Sequence, residues 1–192
     1  AYQNFNITGT PISHFPDLIK ALAMVKAAAA KANYQHGLLT EEKLGAITEA
    51  CTDLINGEHH DQFIVDLIQG GAGTSTNMNA NEVIANIGLK KMGFEYGQYR
   101  HLHPNNDVNR SQSTNDVYPS AARLAIVFAA KPLKAAILNL QQSLAAKGQA
   151  FGGILKMGRT QLQDAVPMTL GQEFNAFASD VGSEIAQIEQ AC

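Results

Sequence analysis

Alanine is the residue that most constrains this chain. It fills 28 of 192 positions, and it is the strongest helix former and a poor strand former. A sandwich or barrel is therefore disfavoured, and long helices are expected. The run Ala27-Ala28-Ala29-Ala30 fits tight helix–helix packing, because small side chains let backbones approach. With 45% apolar and 16% charged residues, the composition is that of a globular protein with a real core. The net charge of -3 argues against phosphate-driven nucleic-acid binding, which needs a basic face. No apolar run approaches the ~18 residues of a membrane span. The start, Ala1-Tyr2-Gln3-Asn4, has neither the basic nor the apolar part of a signal peptide. Cys51 and Cys192 form no disulfide framework and read as free thiols in a reducing, cytoplasmic compartment.

Periodicity places the helices. Residues 1–13 read as a loop, after which Pro16 opens a helix with the stripe Leu18, Ile19, Leu22, Val25, Ala29 and Ala32, ended by Gly37. Thr40 caps a second helix from Glu41 to about Ile55. Residues 62–68 read as a strand or a buried extended segment. A glycine-rich stretch, residues 70–82, runs into a helix that carries Val83, Ile84, Ile87 and Leu89 and stops at Gly93. A polar loop over residues 101–115 leads to a long helix over 117–146, in which Pro132 predicts a kink or break. A third polar segment, residues 158–164, reads as a turn between helices. The last helix shows the stripe Leu170, Phe174, Phe177, Val181, Ile185 and Ile188. That stripe is still running at Cys192 with no stop signal behind it, which implies either a frayed terminus or a piece of a longer chain.

Three polar segments could carry chemistry. In Gly70-Gly71-Ala72-Gly73-Thr74-Ser75-Thr76-Asn77-Met78-Asn79, glycines expose backbone N–H groups beside hydroxyls at a helix start, which suits an anion. The stretch is neither a P-loop, since no Gly-Lys-Ser/Thr ends it, nor a dinucleotide fingerprint; a tight turn with a cap would look the same. Residues 105–116 are polar at 11 of 12 positions yet lead directly into an apolar helix. Their hydroxyls and amides can grip carboxylates without net charge, or Ser113 and Asn115 can simply cap the helix. The segment Lys156-Met157-Gly158-Arg159-Thr160-Gln161-Leu162-Gln163-Asp164-Ala165-Val166-Pro167 has the same character, with Arg159 and Asp164 able to pair. The six histidines fall into no metal spacing; His103 is the one nearest the polar loops.

In their order and approximate spacing, these three segments resemble the aspartase/fumarase superfamily. The likeness covers nearly the whole chain, from about Asn4. Within the superfamily, Ser113-Thr114-Asn115, Gln161 after Thr160, Ala72 and Asn106 are similar to the aspartate-deaminating branch. Class II fumarases usually carry Ser-Ser-Asn, His, Ser and Asp at those places. The resemblance implies an all-α fold, a truncated long-helix bundle, with residues 1–110 as a partial N-terminal helical domain and residues 111–192 as the first helices of the central bundle. It implies reversible conversion of L-aspartate to fumarate and ammonia through a dianionic aci-carboxylate, which fixed donors must stabilise. Ser113 and Thr114 would hold the β-carboxylate and Thr160 the α-carboxylate, while Thr74, Asn115 and Gln161 would surround the departing amine. No cofactor or metal is implied. The family's general base, a serine of a Gly-Ser-Ser loop, has no counterpart in these residues and is expected beyond Cys192. A homotetramer with sites shared between subunits is also implied. The readings that compete are a class II fumarase and a non-catalytic helical assembly module, a use for which a lens crystallin of the superfamily is the precedent.

Overall fold

The computed structural model describes residues 6–68 and 71–192, so Ala1-Tyr2-Gln3-Asn4, the first five residues of the expected 1–13 loop, and Gly70 lie outside the described residues. The chain is mostly helical and divides into two compact units, residues 1–126 and 127–192.

In the first unit, helices α1 (Pro16–Gln35), α2 (Glu41–Ile55) and α3 (Thr74–Lys91) pack on one another. Each begins where local chemistry dictates. Pro16 sits at the first turn of α1, where its missing N–H costs nothing. The Thr40 hydroxyl accepts from Lys43 N at the start of α2. Gly73, at φ +86°, precedes α3. Ile19, Leu22, Ile47, Leu54, Ile84 and Leu89 are fully buried between the helices. Gly88 lets α3 come close to α2 and to Leu102: a Cβ there would lie 2.6 Å from Leu102 Cδ2 and 3.4 Å from the Ala46 carbonyl. Of residues 62–68, Gln62 closes a short 3-10 turn, His60–Gln62, and the rest is irregular extended chain, not a regular strand. Ile12 N donates to Val65 O, Ser13 N to Phe63 O and Leu67 N to Thr10 O, with an isolated bridge between Pro11 and Asp66.

The buried face of α1 differs from the expected stripe. It comprises Ile19, Ala21, Leu22, Ala23, Lys26, Ala30 and Asn33, whereas Ala32 is exposed and Val25 and Ala29 are only half-buried. Apolarity points to the wrong face because two of the buried residues, Lys26 and Asn33, are polar.

Helix α4 (Thr114–Ala150) starts three residues earlier than its apolar pattern suggests and stays helical through Pro132. The expected break does not occur. A proline removes one ladder bond, and 37 residues of helix retain the others.

In the second unit, α4 ends at a turn, and a two-stranded antiparallel hairpin of β1 (Leu155–Thr160) and β2 (Gln163–Thr169) follows. The segment expected as a turn between helices is thus a hairpin. It lacks the Asn-Gly or Asp-Gly of a two-residue loop, so no local signal announces it. Helix α5 (Leu170–Ala191) opens on a full capping box: Thr169 Oγ1 accepts from Gln172 N, and the Gln172 side chain accepts from Thr169 N. Lys156 pairs with Glu173 at 2.7 Å, and Phe151 meets Phe174 edge-on at 5.3 Å. The α5 stripe stays half-exposed, with Phe177 at 49%. Among the described residues, no helix is long and apolar enough to cross a membrane.

Candidate functional site

The first unit brings four of the six candidate residues together. The glycine-rich loop takes three successive left-handed residues, Gly71, Ala72 and Gly73 (φ +83°, +48° and +86°). Glycine adopts this region freely, but Ala72 does so at a cost. The loop ends sooner than expected, since Thr74 is already helical. Thr74 Oγ1 donates to Gly71 O at 2.6 Å and its side chain is exposed. Gly73 lies against the Tyr118 ring: a Cβ would meet Tyr118 Cδ1 at 2.6 Å. This contact sets the loop beside the first turns of α4.

The second segment folds around hydrogen bonds of its own. His103 Nδ1 accepts from Asn105 N and Asn106 N at 3.0 and 3.2 Å, so the histidine nearest the polar loops caps a short π-helical turn, Pro104–Val108. Asp107 accepts from His103 N and pairs with Lys43 through both carboxylate oxygens, each at 2.8 Å. Ser113 then caps α4, its Oγ accepting from Asn115 N at 3.2 Å and its carbonyl from Val117 N. Capping does not consume Thr114 or Asn115. Thr114 Oγ1 accepts from Asn77 Nδ2 of α3 at 3.0 Å, which ties the Ser113–Asn115 turn to the helix that begins at Thr74.

Behind this turn lies a polar network that the sequence did not reveal. Lys26 is fully buried, and its ammonium donates to Asn109 Oδ1 at 2.8 Å and Gln112 Oε1 at 3.0 Å. Asn77 and Asn81 donate to the same Asn109 oxygen at 3.1 and 3.2 Å. Burial lowers the Lys26 pKa to about 7, partly opposed by the Cys51 thiol. Burial pushes Cys51 up to about 12, with Lys26 acting in the opposite sense. Lys26 and Asn33 interrupt the apolar pattern of α1 seven residues apart, the one signal that could have exposed this face.

Thr160 and Gln161 belong to the second unit, at the tip of the hairpin. Gln161 and Leu162 form its two-residue loop at φ +49° and +67°, values that side chains rarely take, and Leu162 is fully exposed. Arg159 and Asp164 do pair, at 3.4 Å, but both are exposed, so the pair contributes little.

A groove of about 1260 Å³ runs beside α3, lined among others by Thr74, Ser75, Asn79, Asn86, Lys90 and Tyr96. At its edge Asp53, Glu58 and His59 bring one potential metal-ligand atom each within 4.8 Å of one another. Lys91 already pairs with Asp53 at 2.8 Å, so a cation there would have to displace it.

The whole chain, residues 1–192, matches the family described as "Lyase". The chain belongs to this lyase family, within the aspartase/fumarase superfamily. An aspartate ammonia-lyase of Pseudomonas aeruginosa is 60% identical over 190 residues, covering 99% of this chain and 40% of that protein. A solved structure described as a fumarate lyase:delta crystallin from Brucella melitensis, bound to cobalt, has a TM-score of 0.93 at 53% identity, over 99% of this chain and 41% of that one. A class II fumarase from Schistosoma mansoni has a TM-score of 0.80 at 32% identity, over 96% and 39%. The lyase chain thus spans about 40% of the length of the curated relatives it matches.

Proposed function

We propose that these 192 residues are the N-terminal part of an aspartate ammonia-lyase, which converts L-aspartate to fumarate and ammonia. The observation that carries this reading is the Ser113-Thr114-Asn115 turn, tied by Asn77 to the Thr74 helix in a chain 60% identical to an aspartate ammonia-lyase.

The Cβ proton of aspartate is too weakly acidic to leave unaided. Its removal places a second negative charge on the β-carboxylate, and prepositioned donors lower the barrier by meeting that charge as it forms. Ser113 and Thr114 hold this carboxylate, Thr160 the α-carboxylate, and Thr74, Asn115 and Gln161 flank the amine. The general base is a serine from sequence beyond Cys192. Residues 111–192 form the first helices of a central bundle and residues 1–110 an N-terminal domain. The bundle assembles a homotetramer that completes each site from several subunits. Exposed Leu133, Leu138 and Leu140 on α4 and Phe177 on α5 support such an assembly, and sedimentation of the full-length protein tests it. The two free thiols accord with a cytoplasmic location, which fractionation tests.

Absorbance at 240 nm reports fumarate formed from L-aspartate. The full-length protein should produce it and the 192-residue chain should not. Turnover by the short chain would overturn the claim that its base lies elsewhere. The likeness to the Schistosoma mansoni fumarase supports a second reading, hydration of fumarate to malate. Activity of the full-length protein on malate and not on aspartate would establish that reading instead.

A further inference from the structure

Lys26 is at odds with ordinary core chemistry. Its side chain is completely buried, yet its ammonium contacts only amide oxygens, Asn109 Oδ1 and Gln112 Oε1. Among the described residues no carboxylate pairs with it; the ion pairs of this unit engage Lys43, Lys90 and Lys91 instead. Burying an unpaired cation is costly, and a chain gains nothing in stability by keeping one. The surrounding amides are incompletely paired as well. Three donors converge on Asn109 Oδ1, while the side-chain oxygens of Asn77 and Asn81, both buried, accept no hydrogen bond. The cluster thus leaves an ammonium without a counter-charge beside two buried amide oxygens without a donor.

The network leads somewhere definite. Asn77, which shares the Asn109 oxygen with Lys26, spends its other N–H on Thr114 Oγ1 at 3.0 Å. Gln112, the second Lys26 partner, immediately precedes Ser113 and donates to the Val108 and Arg110 carbonyls. Asn109 Nδ2 donates in turn to Gln112 O. The ammonium therefore pins both ends of the 109–112 segment from which the Ser113–Asn115 turn departs. That turn offers a bound carboxylate only neutral donors. Among the described residues, the one titratable group acting electrostatically on Lys26 is the Cys51 thiol from α2, and burial keeps that thiol protonated.

We propose that Lys26 is a positioning residue for the Ser113–Thr114–Asn115 turn: through Asn109 and Gln112 it fixes the turn, and its unpaired charge favours a dicarboxylate bound there. The inference rests on the reading of that turn as a carboxylate grip. An unpaired ammonium behind a neutral grip balances part of the second charge a dianion brings, without an exposed cation that would attract other anions.

The test measures binding of succinate, an unreactive dicarboxylate, to the full-length lyase by titration calorimetry at pH 6, where the ammonium is charged. Four variants are compared: Ser113→Ala, Lys26→Met, Asn109→Asp and Lys43→Met. Asn109→Asp keeps the oxygen that Lys26, Asn77 and Asn81 share and gives the ammonium a counter-charge, at the loss of the Asn109 Nδ2 bond to Gln112 O. It remains informative should Lys26→Met fail to fold. Lys43→Met removes another tether of the same loop, the Asp107 pair, and serves as the purely structural control. Ser113→Ala, Lys26→Met and Asn109→Asp should each weaken succinate by about tenfold, and Lys26→Met and Asn109→Asp should raise KM for L-aspartate in parallel. Lys43→Met should lower Tm with a change in affinity below threefold. If Ser113→Ala weakens binding while Asn109→Asp and any folded Lys26→Met stay within twofold, the proposal falls and the carboxylate grip stands. If Ser113→Ala has no effect either, the grip itself is wrong and the proposal falls with it.

Discussion

The Lys26–Cys51 pair predicts a stability profile that rises where most proteins are flat. Lys26 titrates at about 7 in the folded chain, against 10.5 for an exposed lysine. Between these values the unfolded chain holds a proton that the folded one has released, so stability rises with pH. Cys51 works in the opposite sense. Its pKa moves from 9.0 to about 12 on burial, so between those values the folded chain holds the extra proton and stability falls with pH. From pH 7 to 9 Lys26 alone of these two groups acts, and two pH units at 1.36 kcal/mol each give a gain of about 3 kcal/mol. From 9.0 to 10.5 the two slopes cancel. Above 10.5 stability drops, and Lys91, whose pKa is raised by its hydrogen bond to Asp53, steepens the drop. Urea unfolding of the chain, followed by far-UV circular dichroism from pH 6 to 11, reads this directly. Lys26→Met should abolish the rise between pH 7 and 9, and Cys51→Ala should extend it towards 10.5. A wild-type curve that is flat or falling between pH 7 and 9, or a rise that survives in Lys26→Met, would refute the reasoning.

Four further substitutions follow from the packing and pairing. Gly73→Ala forces a Cβ to 2.6 Å from the Tyr118 ring in a left-handed residue, and should cost about 1–3 kcal/mol in urea unfolding and raise KM for L-aspartate in the full-length protein by displacing Thr74. Gly88→Ala drives a Cβ to 2.6 Å from Leu102 Cδ2; it should cost a similar ~1–3 kcal/mol, while Gly93→Ala, with nothing within 4 Å, shows the cost of the left-handed backbone alone. Asp107→Asn leaves Lys43 without its partner and weakens the bond from His103 N; because the carboxylate is only 9% exposed, a loss of about 3 kcal/mol is expected, seen as a lower Tm.

The fold is legible wherever a local rule sets it. Thr40 before Glu41, Pro16 at a helix start and the α5 stripe each announce their element through a single physical cause: a capping hydroxyl, a fixed φ, a 3.6-residue period. The departures from expectation share a cause too. At Pro132 and in the β1–β2 hairpin, context outweighs local propensity. A 37-residue helix absorbs one lost ladder bond, and the strand register with a two-residue loop forces Gln161 and Leu162 into left-handed backbone that neither prefers.

The site is legible as a set of segments but not as an arrangement. Hydroxyls and amides at Thr74 and residues 113–115 stand out because polar side chains leading into an apolar helix must find partners. Nothing in that logic points to Lys26, which sits in an alanine-rich helix and reads as one more solvated cation. Its burial follows from Ile19, Leu22, Lys26, Ala30 and Asn33 sharing one face. Those residues turn inward because Asn109, Gln112 and the Arg110 carbonyl are there to receive Lys26 and Asn33. The polar loop thus decides which face of α1 is buried, and the helix in turn decides where the loop presents Ser113. Neither half carries the information alone, so a substitution at Asn109 should alter both the protection of α1 amides from hydrogen exchange and the affinity for a dicarboxylate. Loss of one without the other would show that helix and turn are set independently.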